Sequence, residues 1–454
     1  MNYTPRPYRS KAVNAVWAAL GKGFKSPLIV SPTGSGKTVI ACILIEMAMA
    51  GARVLFLAHR SELISQCANK LREISIWHGI IKAGMDAGSH HDRVQVASVQ
   101  TFCSRLKHMR KDYCMIIVDE GHHSTASTYR QVIGHCNNPI VIGLTATPYR
   151  TDGAALGDMF DTLIPVTDTA TLMREGHLVP ARIFRGVGGP DLSQIRTLCG
   201  DYDADELGER MSKPKLTGHA VSEYIRLCLG RRAIAFCASV KHSQTVVEAF
   251  KHAGIAAEHL DGMTPAFERA MILERFGEGK TLVLANCGVL TEGYDEPRIE
   301  AILALRPTKS RCLWRQMSGR GLRLCPEIGK THVAILDHAG WTKEHGYLTD
   351  PDVVDLKGGL KKERQKSMSK CQRCGAEFVR RPAICPECGC ALPAGTGLDF
   401  GLGDENVTLA EDMGGYVAPA AKTFVFAPPP VAMLPAKIQI PSAPRLGRLR
   451  QRRK

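Results

Sequence analysis

Short apolar runs recurring between segments of helical periodicity constrain this chain most strongly. PLIV at 27–30, RVLFLA at 53–58, VQVAS at 94–98, MIIVD at 115–119 and IVIGLTA at 140–146 alternate with stretches such as KTVIACILIEMAMA. Strands so rich in Val, Ile and Leu are buried on both faces, which requires helices above and below a mostly parallel sheet. A second set begins with AIAFCAS at 233–239 and runs through TLVLANC, AILALRP and THVAILD, with amphipathic pieces such as SQTVVEAFKHAG between them. At 454 residues the chain exceeds one ordinary core. The expected organisation is a doubly wound α/β unit over 1–165, a connector or insertion over 166–230, and a second α/β unit over 231–345. A basic segment with a cysteine cluster follows at 357–394, and a Pro/Ala/Gly-rich tail at 395–454 should be disordered.

The segment IIVDEGHHS, 116–124, ends one of these runs in two adjacent carboxylates. On its own it reads as an acidic loop solvating a strand end. The partner that changes this reading is SPTGSGKT, 31–38, which follows the apolar run PLIV and opens a helical segment. That context suits a phosphate-binding loop. Thr33, Gly34, Ser35 and Gly36 can turn backbone amides toward phosphate oxygens, Lys37 can reach the β and γ phosphates, and the Thr38 hydroxyl can ligate Mg²⁺. Ser31 stands where the strict pattern has glycine. Asp119 can then hold the Mg²⁺ of a bound nucleotide while Glu120 acts as base toward the water attacking the γ-phosphate. A second glycine–lysine string, GEGK at 277–280, precedes a strand and reads as a turn.

Taken together, SPTGSGKT, AHRSEL at 58–63, SVQTF at 98–102, VDEGHH at 118–123, GLTATP at 143–148, TEGYDEP at 291–297 and QMSGRGLR at 316–323 resemble the ordered motifs of superfamily 2 (DEAD/DEAH-type) helicases. The resemblance covers about 5–340 and is nearest to bacterial RadD-type and type III restriction-like DNA helicases. It implies two tandem RecA-like domains with ATP between them. It also implies that Arg320 and Arg323 face the γ-phosphate from the second domain, that Gln316 helps orient it, and that Gly293 and Asp295 lie near the nucleotide. Thr145, Thr147 and His122 fall where such proteins couple the ATP site to the nucleic-acid groove; without the resemblance the threonines read as ordinary strand and turn residues. The chain departs from the family at RPYRSKA, where Arg9 replaces the Gln that reads the adenine edge. Arginine has no acceptor for the adenine amino group, so adenine selectivity is left open, although Tyr8 could still stack on a base.

CQRCGAEF begins at Cys371 and CPECGC at Cys385. Two CxxC pairs, Cys371 with Cys374 and Cys385 with Cys388, match the spacing of a four-thiolate structural Zn²⁺ site in a small zinc-ribbon-like module. Cys390 is a fifth thiol that could replace Cys388, and a redox CxxC is the alternative. The remaining eleven of the 16 cysteines are scattered, as reduced core residues are. A net charge of +15 and the closing RLGRLRQRRK suit a polyanionic partner. Neither a signal peptide nor an apolar span of membrane length is apparent, so a cytoplasmic location and no membrane partner are expected. The expected function is an ATP-dependent DNA helicase or translocase using ATP, Mg²⁺ and Zn²⁺, with replication or repair proteins as candidate partners of the C-terminal module. An RNA helicase and an ATP-gated loading factor that does not separate strands are the alternatives.

Overall fold

The computed structural model describes residues 6–351 except 88–90, 124–126, 149–154, 186–191, 193 and 199, and beyond them residues 356, 369–370, 377–378 and 410–412. The first sheet comprises β1 (Pro27–Val30), β2 (Val54–Ala58), β3 (Gly79–Lys82), β4 (Met85–Ala87), β5 (Val94–Ser98), β6 (Met115–Asp119), β7 (Ile140–Thr145) and β8 (Thr162–Pro165). Their order is β4-β3-β5-β2-β6-β7-β1-β8, parallel throughout except for the β3–β4 hairpin. Side chains alternate across this sheet. Ile29, Phe56, Ile117 and Ile142 pack under α1 (Pro7–Gly21), α2 (Lys37–Ala48) and α3 (Ser61–Glu73), whereas Leu28, Leu57, Ile116 and Val118 meet Phe102, Tyr113 and Phe160 on the other face. Burial on both faces explains why these strands read as continuous apolar runs.

The second sheet includes β9 (Ala181–Arg185), β12 (Ala233–Phe236), β13 (Ala257–Leu260), β14 (Val283–Asn286), β15 (Ala301–Ala304) and β16 (Val333–Asp337). A small hairpin of β10 (Thr197–Leu198) and β11 (Asp201–Tyr202) sits apart, as does a ribbon of β17 (Ser369–Lys370) and β18 (Glu377–Phe378). With β19 (Ala410–Asp412), the second sheet runs β13-β14-β12-β15-β16-β9-β19, and only β19 is antiparallel. Each sheet is thus the centre of its own α/β unit.

The stretch 166–230, expected as a connector, contributes to the second unit. Its β9 pairs with β16 in register Val333↔Ala181 to Asp337↔Arg185, and Leu172, Met173, Leu178 and Val179 join the second core. Arg182 and Arg185, one on each face of ARIFR, interrupt its apolar residues and hid this strand from a search for continuous apolar runs. GEGK ends the helix Ala266–Glu278 instead of forming a free turn, with Gly279 as its left-handed cap at φ 81°. The four proposed zinc ligands and Cys390 lie outside the described residues, although β17 and β18 flank the first CxxC pair in the chain. No described helix is long and apolar enough to cross a membrane.

After β16 the chain returns to the first unit. Arg315 donates to the carbonyls of Leu348 and Asp350 at 3.2 and 2.8 Å, and the Leu356 carbonyl accepts from the amides of Leu156 and Gly157 at 3.2 and 3.0 Å. Further on, β19 lies along β9, where Arg182 grips Glu411 through two hydrogen bonds of 2.7 and 2.6 Å and Tyr347 bonds to Asp412.

Gly143 in the middle of β7 is tightly enclosed beneath the site-bearing edge. A Cβ there would sit 2.5 Å from the Phe160 ring and 2.6 Å from Leu28 Cδ1, both fully enclosed. Gly143→Ala is expected to destabilise the first unit by about 1–3 kcal/mol through overpacking; a urea midpoint unchanged from the parent would contradict this packing.

Candidate active site

The phosphate-loop segment leaves β1 at the edge where the other parallel strands also end. The Ser31 amide extends the β1–β7 ladder by donating to Thr145 O at 2.9 Å, so Ser31 acts as a strand residue. Gly34 and Gly36 have φ of 83° and 89°, a region glycine enters without strain, and Gly36 caps α2. The N-terminus of α2 therefore points its free amides and positive dipole end into the space above the sheet. From the side, α1 braces this loop: the Tyr8 hydroxyl donates to Ser35 O at 2.5 Å and Arg9 Nε donates to the same carbonyl at 3.1 Å. The Tyr8 ring is buried against the second core beside His177, at 5.5 Å between centroids. Arg9 presses on Gly36, where a Cβ would meet its guanidinium at 2.6 Å, and burial pushes its pKa down to about 10.

Two further carboxylates arrive from β6. Asp119 is the last residue of the strand, and Glu120 follows with φ 51°, a left-handed conformation that costs a non-glycine residue about 1–2 kcal/mol. This turn lets the Glu120 amide donate to Asp119 Oδ1 at 3.0 Å and brings Glu120 Oε1 to 4.0 Å from Lys37 Nζ. Burial, and next the charge of Glu120, push the Asp119 pKa up, while Lys37 opposes the shift. A divalent cation beside Asp119 and the Thr38 hydroxyl would relieve that penalty, so the donor set fits Mg²⁺. Thr38 Oγ1 bonds to Gln66 Oε1 at 3.4 Å, and Gln66 Nε2 reaches Asp295 Oδ2 of the second unit at 3.0 Å.

The second unit supplies the opposite wall. A cavity of about 290 Å³ is lined by Arg9, Thr33, Gly34, Gly36, Lys37, Thr38, Asp119 and Glu120 on one side and by Gly293, Asp295, Arg320 and Arg323 on the other. Arg320 follows the helix Arg311–Gly319 and donates to Tyr294 O at 2.7 Å. Burial lowers its pKa, with Glu120 and Glu292 pulling the other way. Arg323 pairs with Asp295, and burial brings its pKa down to about 10. Two weakly hydrated arginines thus face the lysine and the carboxylates across one cleft.

Among the residues singled out from sequence, Tyr8, Ser35, His122 and Gln316 stand behind the cavity wall. His122 Nδ1 lies 3.2 Å from Thr145 Oγ1 and 3.5 Å from Glu120 Oε2. Thr145 Oγ1 in turn bonds to Thr147 O at 2.7 Å, and Thr147 Oγ1 meets Cys312 Sγ of the second unit at 2.9 Å. Gln316 Nε2 donates to Glu292 at 2.9 Å. Glu292, His59, Arg60 and Gln66 received no role from the sequence. Their signal was available only as charged or amide residues within AHRSEL, TEGYDEP and the helix after AHR, and their meeting depends on the contact between units. The side chain of His123 lies outside the described residues.

Residues 2–150 match the model of the type III restriction enzyme res subunit, and residues 219–325 match that of the helicase conserved C-terminal domain. The chain is 33% identical over 368 residues to a 51.5 kDa protein of a Lactococcus phage (isolate 7-9), covering 80% of this chain and 77% of that one. It is 31% identical over 372 residues to the putative ATP-dependent helicase IRC3 of Saccharomyces cerevisiae, covering 78% of this chain but 54% of that protein. The chain therefore spans about half the length of that relative. Among solved structures, a fragment of a putative HsdR subunit of a type I restriction enzyme from Vibrio vulnificus YJ016 superposes with TM-score 0.61 at 21% identity, over 77% of this chain and 66% of that one. The restriction-modification enzyme LlaBIII bound to DNA does so with TM-score 0.56 at 18% identity, over 74% and 28%. With these matches, and with a cleft that sets Lys37 on one wall against Arg320 and Arg323 on the other, the chain belongs to the superfamily 2 helicases related to restriction-like enzymes and is an NTP-hydrolysing enzyme.

Proposed function

We propose that the protein hydrolyses ATP in the interdomain cleft and uses the resulting domain motion to move on or remodel DNA. The observation that carries this reading is the division of charge across one cavity: Lys37, Asp119 and Glu120 belong to the first unit, Arg320 and Arg323 to the second. Lys37 and the amides at the start of α2 hold the phosphates. Asp119 and Thr38 would hold Mg²⁺, which supplies positive charge to the phosphate oxygens when bound. Glu120 takes the proton of the attacking water. Arg320 and Arg323 stabilise the charge that develops on the transferring group, and they do so only when the units are together. Each turnover therefore alternates a closed and an open cleft, which is the motion a translocating motor requires.

DNA is the proposed track because restriction enzymes recur among the relatives and structural neighbours, one of the latter bound to DNA, and because the chain carries a net charge of +15. The C-terminal Cys371, Cys374, Cys385 and Cys388 are proposed to bind Zn²⁺ in a structural module that, with the basic runs around it, adds phosphate contacts.

The deciding experiment compares NTP hydrolysis without nucleic acid and with single-stranded, duplex and forked DNA and RNA at one salt concentration. DNA should stimulate the parent at least fivefold; Lys37→Ala should lose turnover, and Glu120→Gln should still bind ATP while hydrolysing at least a hundredfold more slowly. Stimulation by RNA alone would replace the proposed track, and parent-level turnover by Glu120→Gln would remove the assigned base.

Arg9 offers no acceptor to the adenine amino group, so kcat/KM for ATP and GTP should agree within about tenfold, a gap near 1.4 kcal/mol. Strict preference for ATP would mean that other groups read the base.

Replacing Cys371 and Cys374 together with Ser should release zinc, measurable by metal analysis, and leave DNA-independent hydrolysis within about twofold. DNA affinity should fall and its salt dependence flatten; identical affinity and slope would take this module off the DNA-binding surface.

A further inference from the structure

Glu292 follows β14 in the second unit, is 6% exposed, and does not line the nucleotide cavity. A carboxylate taken out of water costs several kcal/mol unless its oxygens are occupied. Here they are shared between the two units. Oε2 takes His59 Nε2 at 2.7 Å and Arg60 Nε at 3.2 Å, both from the junction of β2 and α3 in the first unit. Oε1 accepts from Gln316 Nε2 of its own unit at 2.9 Å and faces His122 Nε2 of the first at 3.9 Å. Gln316 lies one helical turn before Arg320, and His122 Nδ1 is 3.5 Å from Glu120 Oε2. One carboxylate therefore stands between the arginine wall and the base.

We infer that Glu292 is a positioning residue that sets the two halves of the active site in register, acting through Gln316 on Arg320 and through His122 on Glu120. Stability alone does not account for it. A buried ion pair rarely outperforms an apolar contact of the same shape, and this carboxylate also adds its charge to the group that raises Asp119. What the arrangement does provide is a fixed relative placement of two walls that otherwise belong to separate cores.

This inference rests on the hydrolysis reading, and its test separates the two. The full chain and Glu292→Ala, Glu292→Gln and Glu292→Asp are compared for kcat, KM, fluorescent-nucleotide affinity and melting temperature, with Lys37→Ala as the inactive control. Glu292→Ala should lower kcat at least tenfold with KM and nucleotide affinity within threefold, because only the alignment reached in the transition state is lost. Glu292→Gln keeps the length but has a single acceptor oxygen, so its amide NH2 must face either Gln316 or the Arg60 Nε–H, and its kcat should fall between the parent and the alanine variant. Glu292→Asp keeps the charge but withdraws it by one methylene, and should be as poor as the alanine variant. Unchanged kcat in Glu292→Ala, a parallel loss of kcat and nucleotide affinity, or a parent-level kcat in Glu292→Asp would each overturn the proposal. Should the parent itself hydrolyse no nucleotide, the hydrolysis reading fails, and small-angle scattering then decides the register role. A larger radius of gyration for Glu292→Ala supports it, and an unchanged one overturns it.

Discussion

The parallel pairing of β1, β6 and β7 is the constraint on which the site depends. Leu28 lies opposite Gly143, and Val118 opposite the same residue from the other side, so the three strands end level with one another. Three loops leave that level edge: the phosphate loop after Val30, the acidic pair at Asp119 and Glu120, and the Thr145–Thr147 turn. An antiparallel arrangement would send alternate loops to opposite ends of the sheet. In an open parallel sheet they converge in the crevice beyond the carboxyl ends, where a ligand can meet all three. Gly143, enclosed between Phe160 and Leu28, lets these side chains pack directly against the middle of β7 below that edge.

Charge is then concentrated against the interests of stability. Asp119, Glu120 and Glu292 are all buried, and they face Lys37, Arg320 and the His59–Arg60 pair in a small volume. Desolvation raises Asp119 and lowers both cleft arginines, the direction expected when water is removed faster than partners are supplied. The left-handed Glu120 adds backbone strain at the same place. Such a site persists because four apolar clusters, two for each sheet, hold the frame around it. Function sits where the fold is least content, on elements that the cores over-determine.

How much of this could be read from the sequence follows from the physics of each element. β1, β2, β5, β6 and β7 are buried on both faces and announce themselves as unbroken apolar runs, and SPTGSGKT is legible because its glycines and lysine serve a local task. β9 and β13 were missed because ARIFR and AEHL mix polar residues into strands whose burial is decided by distant partners, β16 and β14. The walls of the cleft were foreseeable through motifs, so Lys37, Asp119, Glu120, Arg320 and Arg323 could be named in advance. Glu292 could not: its meaning lies in His59, Arg60, His122 and Gln316, none of which is near it in the chain, and no local pattern encodes a contact between separately folding cores.

The return of the chain after β16 has a mechanical side. The first unit passes to the second through residues 166–180, and farther along the chain Leu356 is bonded to Leu156 and Gly157 of the first unit. Leu356 is thus held on the first unit, although a strand before it, β16, and a strand after it, β19, belong to the second. A point of the second unit's own chain tied to the first keeps the two cleft walls at a local concentration set by the length of the chain and not by diffusion.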